Sequence, residues 1–173
     1  MSLKDETKEK HKEAEQLPFN KRLLNGELSE YEYAMYLFQQ LKLFYAIEMK
    51  IKLPEDLKRV PHIDNDLFEL EERNLKGELY ELKETTDYVN YLDSLNQEEI
   101  LPHVYLNYMA LLFGGQMIRT NVHGGGQMYV FKNKSECIDY IRTKQKDTWA
   151  DEVNLGFTYN ILILKALENI SNA

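Results

Sequence analysis

The sequence predicts an all-α fold, and three observations support the prediction. The 173 residues include only four prolines and eight glycines, so residues that break helices are rare. Apolar side chains recur at intervals of three and four residues along most of the chain, which is the spacing of one helix face. No two segments form a convincing strand pair. The length suits a single domain over residues 1–173.

The first two helices are predicted from breakers and caps. Residues 3–16 form the first helix, which ends before Pro18 because proline disrupts a helix interior. Asn25-Gly26 marks a turn. The string Ser29-Glu30-Tyr31-Glu32 has the pattern of a capping box. A second helix with a wide apolar face is therefore expected to run to about Leu53.

The rest of the chain is predicted to form further helices and one extended segment. The helices are expected over residues 62–75, 86–95, 98–121, 135–148 and 151–169, and the extended segment over 128–131. Asn96 and Glu99 have the spacing of a cap before the long apolar helix. Gly114-Gly115 falls in the middle of that helix, where each glycine costs about 1 kcal/mol relative to alanine. Some packing or functional requirement must offset this cost.

Charge and cysteine content exclude several classes of function. There are 21 basic and 29 acidic residues, interleaved, and the net charge of −8 disfavours general nucleic-acid binding. Cys137 is the single cysteine, so neither an internal disulfide nor a thiolate metal cage is possible. The first residues lack a secretion signal, and residues 164–173 are too short and mixed to span a bilayer. We expect a cytoplasmic protein without a membrane anchor.

His11 is the first candidate for chemistry. It lies on the first helix with Thr7 one turn before it and Glu15 one turn after it, on the same face. A neutral imidazole ligates heme iron well, and a carboxylate on its other nitrogen fixes the tautomer. The same spacing also suits a surface histidine in a helix rich in lysine and glutamate, which is the commoner case.

Gly114-Gly115 is the second candidate, because a stretch without side chains lets a helix approach another helix or a flat ligand. The composition of the chain does not distinguish close helix packing from ligand binding as the reason for these two glycines. A planar macrocycle between the histidine-bearing helix and this helix would use both features. The two propionates of heme need cations, and Lys4, Arg142, Lys144 and Lys146 could supply them, although solvated helix faces carry such residues too.

Other metal sites and catalytic motifs find less support. A carboxylate-bridged di-iron bundle needs Glu-x-x-His pairs, and no histidine here has a glutamate three residues before it. Phosphate loops, nucleophile triads and zinc spacings are also lacking. His62 and His103 follow prolines at helix starts, so we interpret both as exposed or capping residues.

Two segments resemble heme oxygenases. The first, Leu3 to Glu15, is similar to the proximal helix of that family, in which the histidine ligates iron and an Ala-Glu pair follows. The second, His103 to Tyr108 leading into Gly114-Gly115-Gln116, resembles the distal helix at the same spacing. Phe157 and Asn160 also fall on family positions. The resemblance implies a heme oxygenase-like helical bundle with heme between the first helix and a glycine-kinked distal helix.

The resemblance also implies roles for individual residues. His11 would ligate the iron and Glu15 would support it. The opposite face of the heme would be covered around Ala110, Leu111, Gly114 and Gly115. The propionate contacts would be Lys4, Tyr105, Arg142 and Lys144. Phe157 would line the pocket wall, and Tyr88 and Asn160 would belong to the water network on the oxygen side.

The chain departs from the family on the oxygen side. Ala110-Leu111-Leu112-Phe113 stands where many members have Gly-Asp-Leu-Ser, so the aspartate that anchors a water is replaced by Leu111. Asn107 replaces a common arginine, and Phe44 a common tyrosine. The loss of these polar residues is compatible with a protein that binds heme without degrading it. It is equally compatible with water held by Asn160, Tyr88 or backbone carbonyls near the glycines, and some branches of the family work without that aspartate.

By resemblance, the expected activity is oxidative cleavage of heme b, which is both substrate and cofactor, by molecular oxygen. The products would be biliverdin, carbon monoxide and ferrous iron. Electrons would come from ferredoxin or another donor, and a bilin reductase could act downstream. Two alternatives stay open: a heme carrier or sensor that does not degrade heme, and a heme-free helical enzyme such as a thiaminase-like hydrolase. The latter would need a catalytic cysteine, and Cys137 has no obvious histidine beside it.

Overall fold

The computed structural model describes residues 1–171, and every regular element in that range is helical. The α-helices, numbered in chain order, are α1 (Leu3–Glu6), α2 (Lys8–Glu15), α3 (Pro18–Leu24), α4 (Glu30–Lys50), α5 (Val60–Glu71), α6 (Lys83–Ser94), α7 (Leu101–Arg119), α8 (Lys134–Lys144) and α9 (Ala150–Ser171). Short 3₁₀ turns are formed by Glu55–Leu57, Gln127–Tyr129 and Asp147–Trp149.

The start of the chain differs from the predicted single helix over residues 3–16. The helix is interrupted at Thr7, whose hydroxyl donates a hydrogen bond to the carbonyl oxygen of Leu3 at 2.9 Å. The Thr7 amide also donates to this carbonyl oxygen, at 3.1 Å, and a single non-helical residue with φ −104° thus separates α1 from α2. Pro18, expected only as a breaker, begins α3 instead, since the first turn of a helix needs no amide hydrogen at that position.

The capping box before α4 is confirmed. The Ser29 hydroxyl accepts the Glu32 amide, and the Glu32 carboxylate accepts the Ser29 amide. The helix ends at Lys50, three residues earlier than expected, because Ile51 adopts an extended conformation.

Two predictions for the second half of the chain are wrong in detail. Residues 127–129 form a 3₁₀ turn where an extended segment was expected, because the buried Asp66 carboxylate accepts the amides of Gln127 and Met128, each at 2.8 Å. The helix predicted over residues 135–148 ends at Lys144, and a separate turn, Asp147–Trp149, leads into α9.

Helix α9 lies at the centre of the bundle, where α2, α3, α6 and α7 pack against it. Helix α4 packs against α5 and α6 on the other side. The main core is continuous through these helices, and a smaller cluster that includes Leu3, Leu106 and Trp149 lies beneath α1. None of the helices in residues 1–171 combines the length with the apolar run needed to cross a bilayer.

Candidate functional site

His11 lies on α2 with 62% of its side chain exposed. Its Nε2 is 2.7 Å from the Glu15 carboxylate, so the predicted face brings these two residues together. The imidazole also stacks on Phe157 of α9, with 5.7 Å between ring centroids and an interplanar angle of 25°. A metal bound at Nε2 would have to displace the carboxylate of Glu15.

The two glycines of α7 lie in different environments, and the helix continues without a break through both. A Cβ atom on Gly115 would lie 3.2 Å from the Cβ of Tyr129, so this glycine permits close packing against the 127–129 turn. A Cβ on Gly114 would meet no atom within 4 Å. Only Gly114 therefore presents bare backbone to open space.

An exposed apolar strip surrounds Gly114 on α7. Ala110 is exposed one turn before it, Phe113 is adjacent, and Met117 is 74% exposed one turn after it. Exposed apolar side chains in a continuous strip commonly mark a surface that contacts a ligand or a partner.

We call the surface of α9 between α2 and α7 the cleft: Phe157 on this surface stacks on His11 of α2, and Asn160 bonds Asn107 of α7. Helices α2 and α7 each pack on α9 and make little or no contact with each other. Phe157 and Asn160, one turn apart on α9, lie at the floor between them. Leu111 is turned away into the core and is only 6% exposed. The position that carries an acid in many heme oxygenases is thus filled by a core leucine.

A buried polar network joins α6, α7 and α9 beneath the cleft. Tyr88 is fully buried, and its hydroxyl lies 2.6 Å from His103 Nδ1. His103 Nε2 lies 2.9 Å from the Glu152 carboxylate, which also accepts the Tyr91 hydroxyl. Burial lowers the pKa of His103, against the opposing effect of Glu152, and burial raises the pKa of Tyr88 well above its ordinary value.

Two amides connect this network to the cleft. Asn107 Nδ2 donates to the Tyr88 oxygen at 3.2 Å and to the backbone oxygen of His103 at 2.9 Å. Asn160 Nδ2 donates to Asn107 Oδ1 at 3.0 Å. The structure therefore brings Tyr88 and Asn160 together through Asn107, the residue that stands in place of an arginine.

Sequence reasoning missed His103 and Glu152 as members of this network. His103, interpreted as exposed or capping, is 0% exposed, because α6 and α9 cover the start of α7. One signal was available, namely Gly156 in the middle of α9. A Cβ on Gly156 would lie 2.6 Å from Leu106 Cδ2 and 3.1 Å from His103 Nδ1, so the glycine permits this close approach.

The predicted propionate contacts are only partly brought together. The Arg142 guanidinium lies 5.5 Å from the Phe113 ring centre, beside Gly114. Burial raises the pKa of Tyr105, and the charge of Arg142 opposes that rise. Lys4 lies on α1, which packs against the 147–149 turn. The Lys144 ammonium lies over Tyr140 of its own helix, at 5.0 Å.

A separate cavity of about 400 Å³ lies between α3, α4 and α9. Its lining consists of Phe19, Arg22, Ser29, Tyr31, Glu32, Met35, Leu167, Ile170 and Ser171. None of the residues predicted for the site belongs to this lining.

Known proteins resemble the chain in sequence. The heme oxygenase family model matches residues 1–164. Heme oxygenase 1 of Gallus gallus is 27% identical over 68% of this chain and 45% of its own length. Heme oxygenase 2 of Macaca fascicularis is 23% identical over 96% of this chain and 64% of its own length. The chain thus spans roughly half to two thirds of the curated relatives it matches.

Solved structures share the fold. Heme oxygenase-1 from the cyanobacterium Synechocystis, crystallised in complex with heme, superposes with a TM-score of 0.81 at 22% identity, covering 96% of this chain and 90% of that one. Heme oxygenase from Leptospira interrogans superposes with a TM-score of 0.74 at 19% identity, covering 96% and 98%. The predicted all-helical, heme oxygenase-like bundle is confirmed, and the match over residues 1–164 shows that the chain belongs to the heme oxygenase family.

Proposed function

We propose that this chain is a heme oxygenase that binds heme b in the cleft between α2 and α7, with His11 as the iron ligand. It cleaves the macrocycle to biliverdin, carbon monoxide and ferrous iron with molecular oxygen. One observation carries the proposal. The exposed imidazole of His11 and the open backbone at Gly114 lie on two helices that both pack on α9 and make little or no contact with each other.

The residues of the cleft fit a flat ring with two carboxylates. The space at Gly114 would be filled by a side chain at any other residue, and Phe157 supplies an apolar surface beside the ligating imidazole. On the α7 side, Arg142, whose guanidinium lies 5.5 Å from the centre of the Phe113 ring, would offer a carboxylate a charge, and Tyr105 would offer a hydroxyl. Lys4 and Lys144 would join them by rotation of exposed side chains.

Bound heme supplies the oxygen binding and electron transfer that no side chain can provide. His11 would donate a nitrogen lone pair to the iron, and Glu15, whose carboxylate bonds the ring at Nε2, would accept the remaining ring N–H and hold the imidazole. The bare backbone at Gly114, with Gly115 packed behind it, would let a ring lie close against α7. Tyr88 and Asn160 belong to the hydrogen-bonded chain that faces this space.

The proposal extends to partners and location. Electrons would arrive from ferredoxin or another donor, a bilin reductase could use the product, and the protein would work in the cytoplasm, that of the host if a phage encodes it. Residues 1–173 would act as one domain.

A hemin titration followed by turnover tests the proposal. Purified protein is loaded with hemin and supplied with oxygen, ferredoxin and its reductase, and the pigment is identified by chromatography. We expect a bilin from the wild type and from His62→Ala, a matched variant at a partly exposed helical histidine. We expect little or none from His11→Ala, with recovery when imidazole is added. A wild type that binds no hemin, or His11→Ala turning over normally, would contradict the assignment.

A heme carrier or sensor is the second candidate, and one observation favours it: Phe44 and Leu111, which the resemblance aligns with a tyrosine and an aspartate, are buried apolar side chains. The same experiment separates the two, because a carrier would keep its Soret band under oxygen and reductant without forming a bilin. The heme-free hydrolase gains no support, since Cys137 is buried and burial raises the pKa of its thiol.

A further inference from the structure

The buried network beneath the cleft has a single consistent direction of hydrogen bonds, which starts at Glu152. A carboxylate oxygen only accepts, so both the Tyr91 hydroxyl and His103 Nε2 must donate to it. Burial disfavours the charged imidazolium, and a neutral ring with its proton on Nε2 leaves Nδ1 bare. Tyr88 therefore donates its hydroxyl hydrogen to Nδ1 at 2.6 Å.

The direction continues through two amides. The Tyr88 oxygen, having given its hydrogen to His103, accepts from Asn107 Nδ2. The backbone carbonyl of His103, which can only accept, takes the other Nδ2 hydrogen. Asn107 Oδ1 must then face Asn160 and accept its Nδ2. Every donor and acceptor from Glu152 to Asn160 Nδ2 is thereby assigned.

This leaves the carbonyl oxygen of Asn160 as the free end. Among residues 1–171, no donor bonds to Asn160 Oδ1, and the only buried side-chain oxygen or nitrogen without a partner is Asn154 Oδ1. The Asn160 oxygen is thus open to solvent. Asn160 follows Phe157 by one turn on α9, and Asn107 precedes Ala110 by one turn on α7. Asn160 therefore lies on the cleft surface of α9, and its free oxygen is accessible to solvent.

We propose that Glu152 and His103 are positioning residues: by fixing the hydrogen-bond direction through Tyr88 and Asn107, they turn the Asn160 carbonyl oxygen into the cleft as an acceptor for a water molecule beside the bound ligand. The acceptor stands in for the acid missing at Leu111. The ligand-side role rests on the proposed function, whereas the direction of the bonds does not.

The bond direction is tested without heme, by ¹⁵N NMR of the imidazole of His103. We expect the wild type to carry its proton on Nε2. Glu152→Gln should preserve this tautomer, because the amide oxygen still accepts. Glu152→Lys, which can only donate, should move the proton toward Nδ1. Asp151→Lys is the matched control, since it makes the same charge change at an exposed neighbouring residue. All of these variants retain Tyr159, whose ring stacks on the rings of Tyr88 and Tyr91.

The acceptor role is tested on the hemin complex, by the pH at which its absorption spectrum changes as the bound water loses a proton. An acceptor stabilises water relative to hydroxide, so removing it should lower that pH. We expect this pH to be roughly 0.5 to 1 unit lower in Asn160→Leu than in the wild type. We expect a decrease of the same size in Glu152→Lys when it is compared with Asp151→Lys, and no decrease in Glu152→Gln.

Two results would overturn the inference: a wild-type proton on Nδ1 of His103, or an Asn160→Leu complex whose spectrum changes at the wild-type pH. Failure of the wild type to bind hemin would instead overturn the proposed function and remove the acceptor's ligand. In that case the NMR measurement still decides the direction of the bonds.

Discussion

Gly114 and Gly115 are adjacent in the sequence, yet one faces the cleft and the other packs against Tyr129. The sequence showed that a cost of about 1 kcal/mol per glycine had to be offset, but not how. The structure gives a different reason for each residue. Tight core packing accounts for Gly115, and the open space at Gly114 is the part that a ligand could use.

Replacing Gly114 with alanine should separate stability from binding. Because the added Cβ meets no atom within 4 Å, Gly114→Ala should raise the free energy of unfolding by about 0.5 to 1 kcal/mol, measured by urea denaturation. Hemin titration should show weaker binding. Gly115→Ala is the control, and it should not be stabilising, because its Cβ would lie 3.2 Å from Tyr129. If Gly114→Ala bound hemin with the affinity of the wild type, the heme ring would not lie against Gly114 and the prediction would be contradicted.

At the scale of the elements, Arg59 joins segments that are distant in sequence. Its guanidinium is 1% exposed and donates to the carbonyl oxygens of Leu57, Asp56, Met128 and Val130. It also lies 3.7 Å from the centre of the Phe131 ring. One side chain thus fixes the 55–57 turn, the start of α5 and the 127–129 turn, which packs against α7 behind Gly115.

Removing this side chain should be costly, because it leaves buried carbonyl oxygens without donors. We expect Arg59→Ala to lower the free energy of unfolding by about 3 kcal/mol or more in urea denaturation. Arg73→Ala is the matched comparison, since that arginine pairs with Glu30 and Glu69 at the surface and its loss should cost less than about 1 kcal/mol. Equal losses in the two variants would contradict the proposed importance of Arg59.

Helix boundaries were predictable where the signal is local. The capping box before α4 depends on two residues three apart, so the sequence contains all of it. The break at Thr7 and the 3₁₀ turn at 127–129 were missed for different reasons. At Thr7 one residue with φ −104° interrupts a well-patterned helix, although its amide keeps the helical bond to Leu3, and no breaker residue marks the position. The turn depends on Asp66, about 60 residues away, which no local pattern can indicate.

On the scale of the whole molecule, an ion-paired cluster connects α3, α4 and α9. Arg22 pairs with Glu32 at 2.5 Å and with Glu168 at 3.1 Å. Burial raises the pKa of Glu32, but hydrogen bonds from Arg22 and the Ser29 amide, together with the charge of Arg22, lower it to about 2. In the unfolded chain its pKa returns to about 4.5.

This difference predicts a specific pH dependence. A pKa lower in the folded state stabilises the fold above the unfolded value, and the contribution is lost as pH falls from about 4.5 toward 2. The free energy of unfolding of wild type should therefore exceed that of Glu32→Gln most above pH 4.5, and the gap should shrink toward pH 2, measured by urea denaturation at each pH. Glu71→Gln, at an exposed position, should show no such trend. A constant gap for Glu32→Gln would refute the assignment.

The sequence by itself determined the all-helical class, most of the helices and the facing pair of His11 and Glu15, because helical periodicity, caps and one-turn spacings are local properties of the chain. Motif spacing also gave the family. Only the tertiary structure decided which glycine faces the cleft, that Phe157 stacks on His11, and that Leu111 turns into the core. It also joined His103 to Glu152, which are 49 residues apart, because long-range packing alone sets the neighbours of a buried polar side chain.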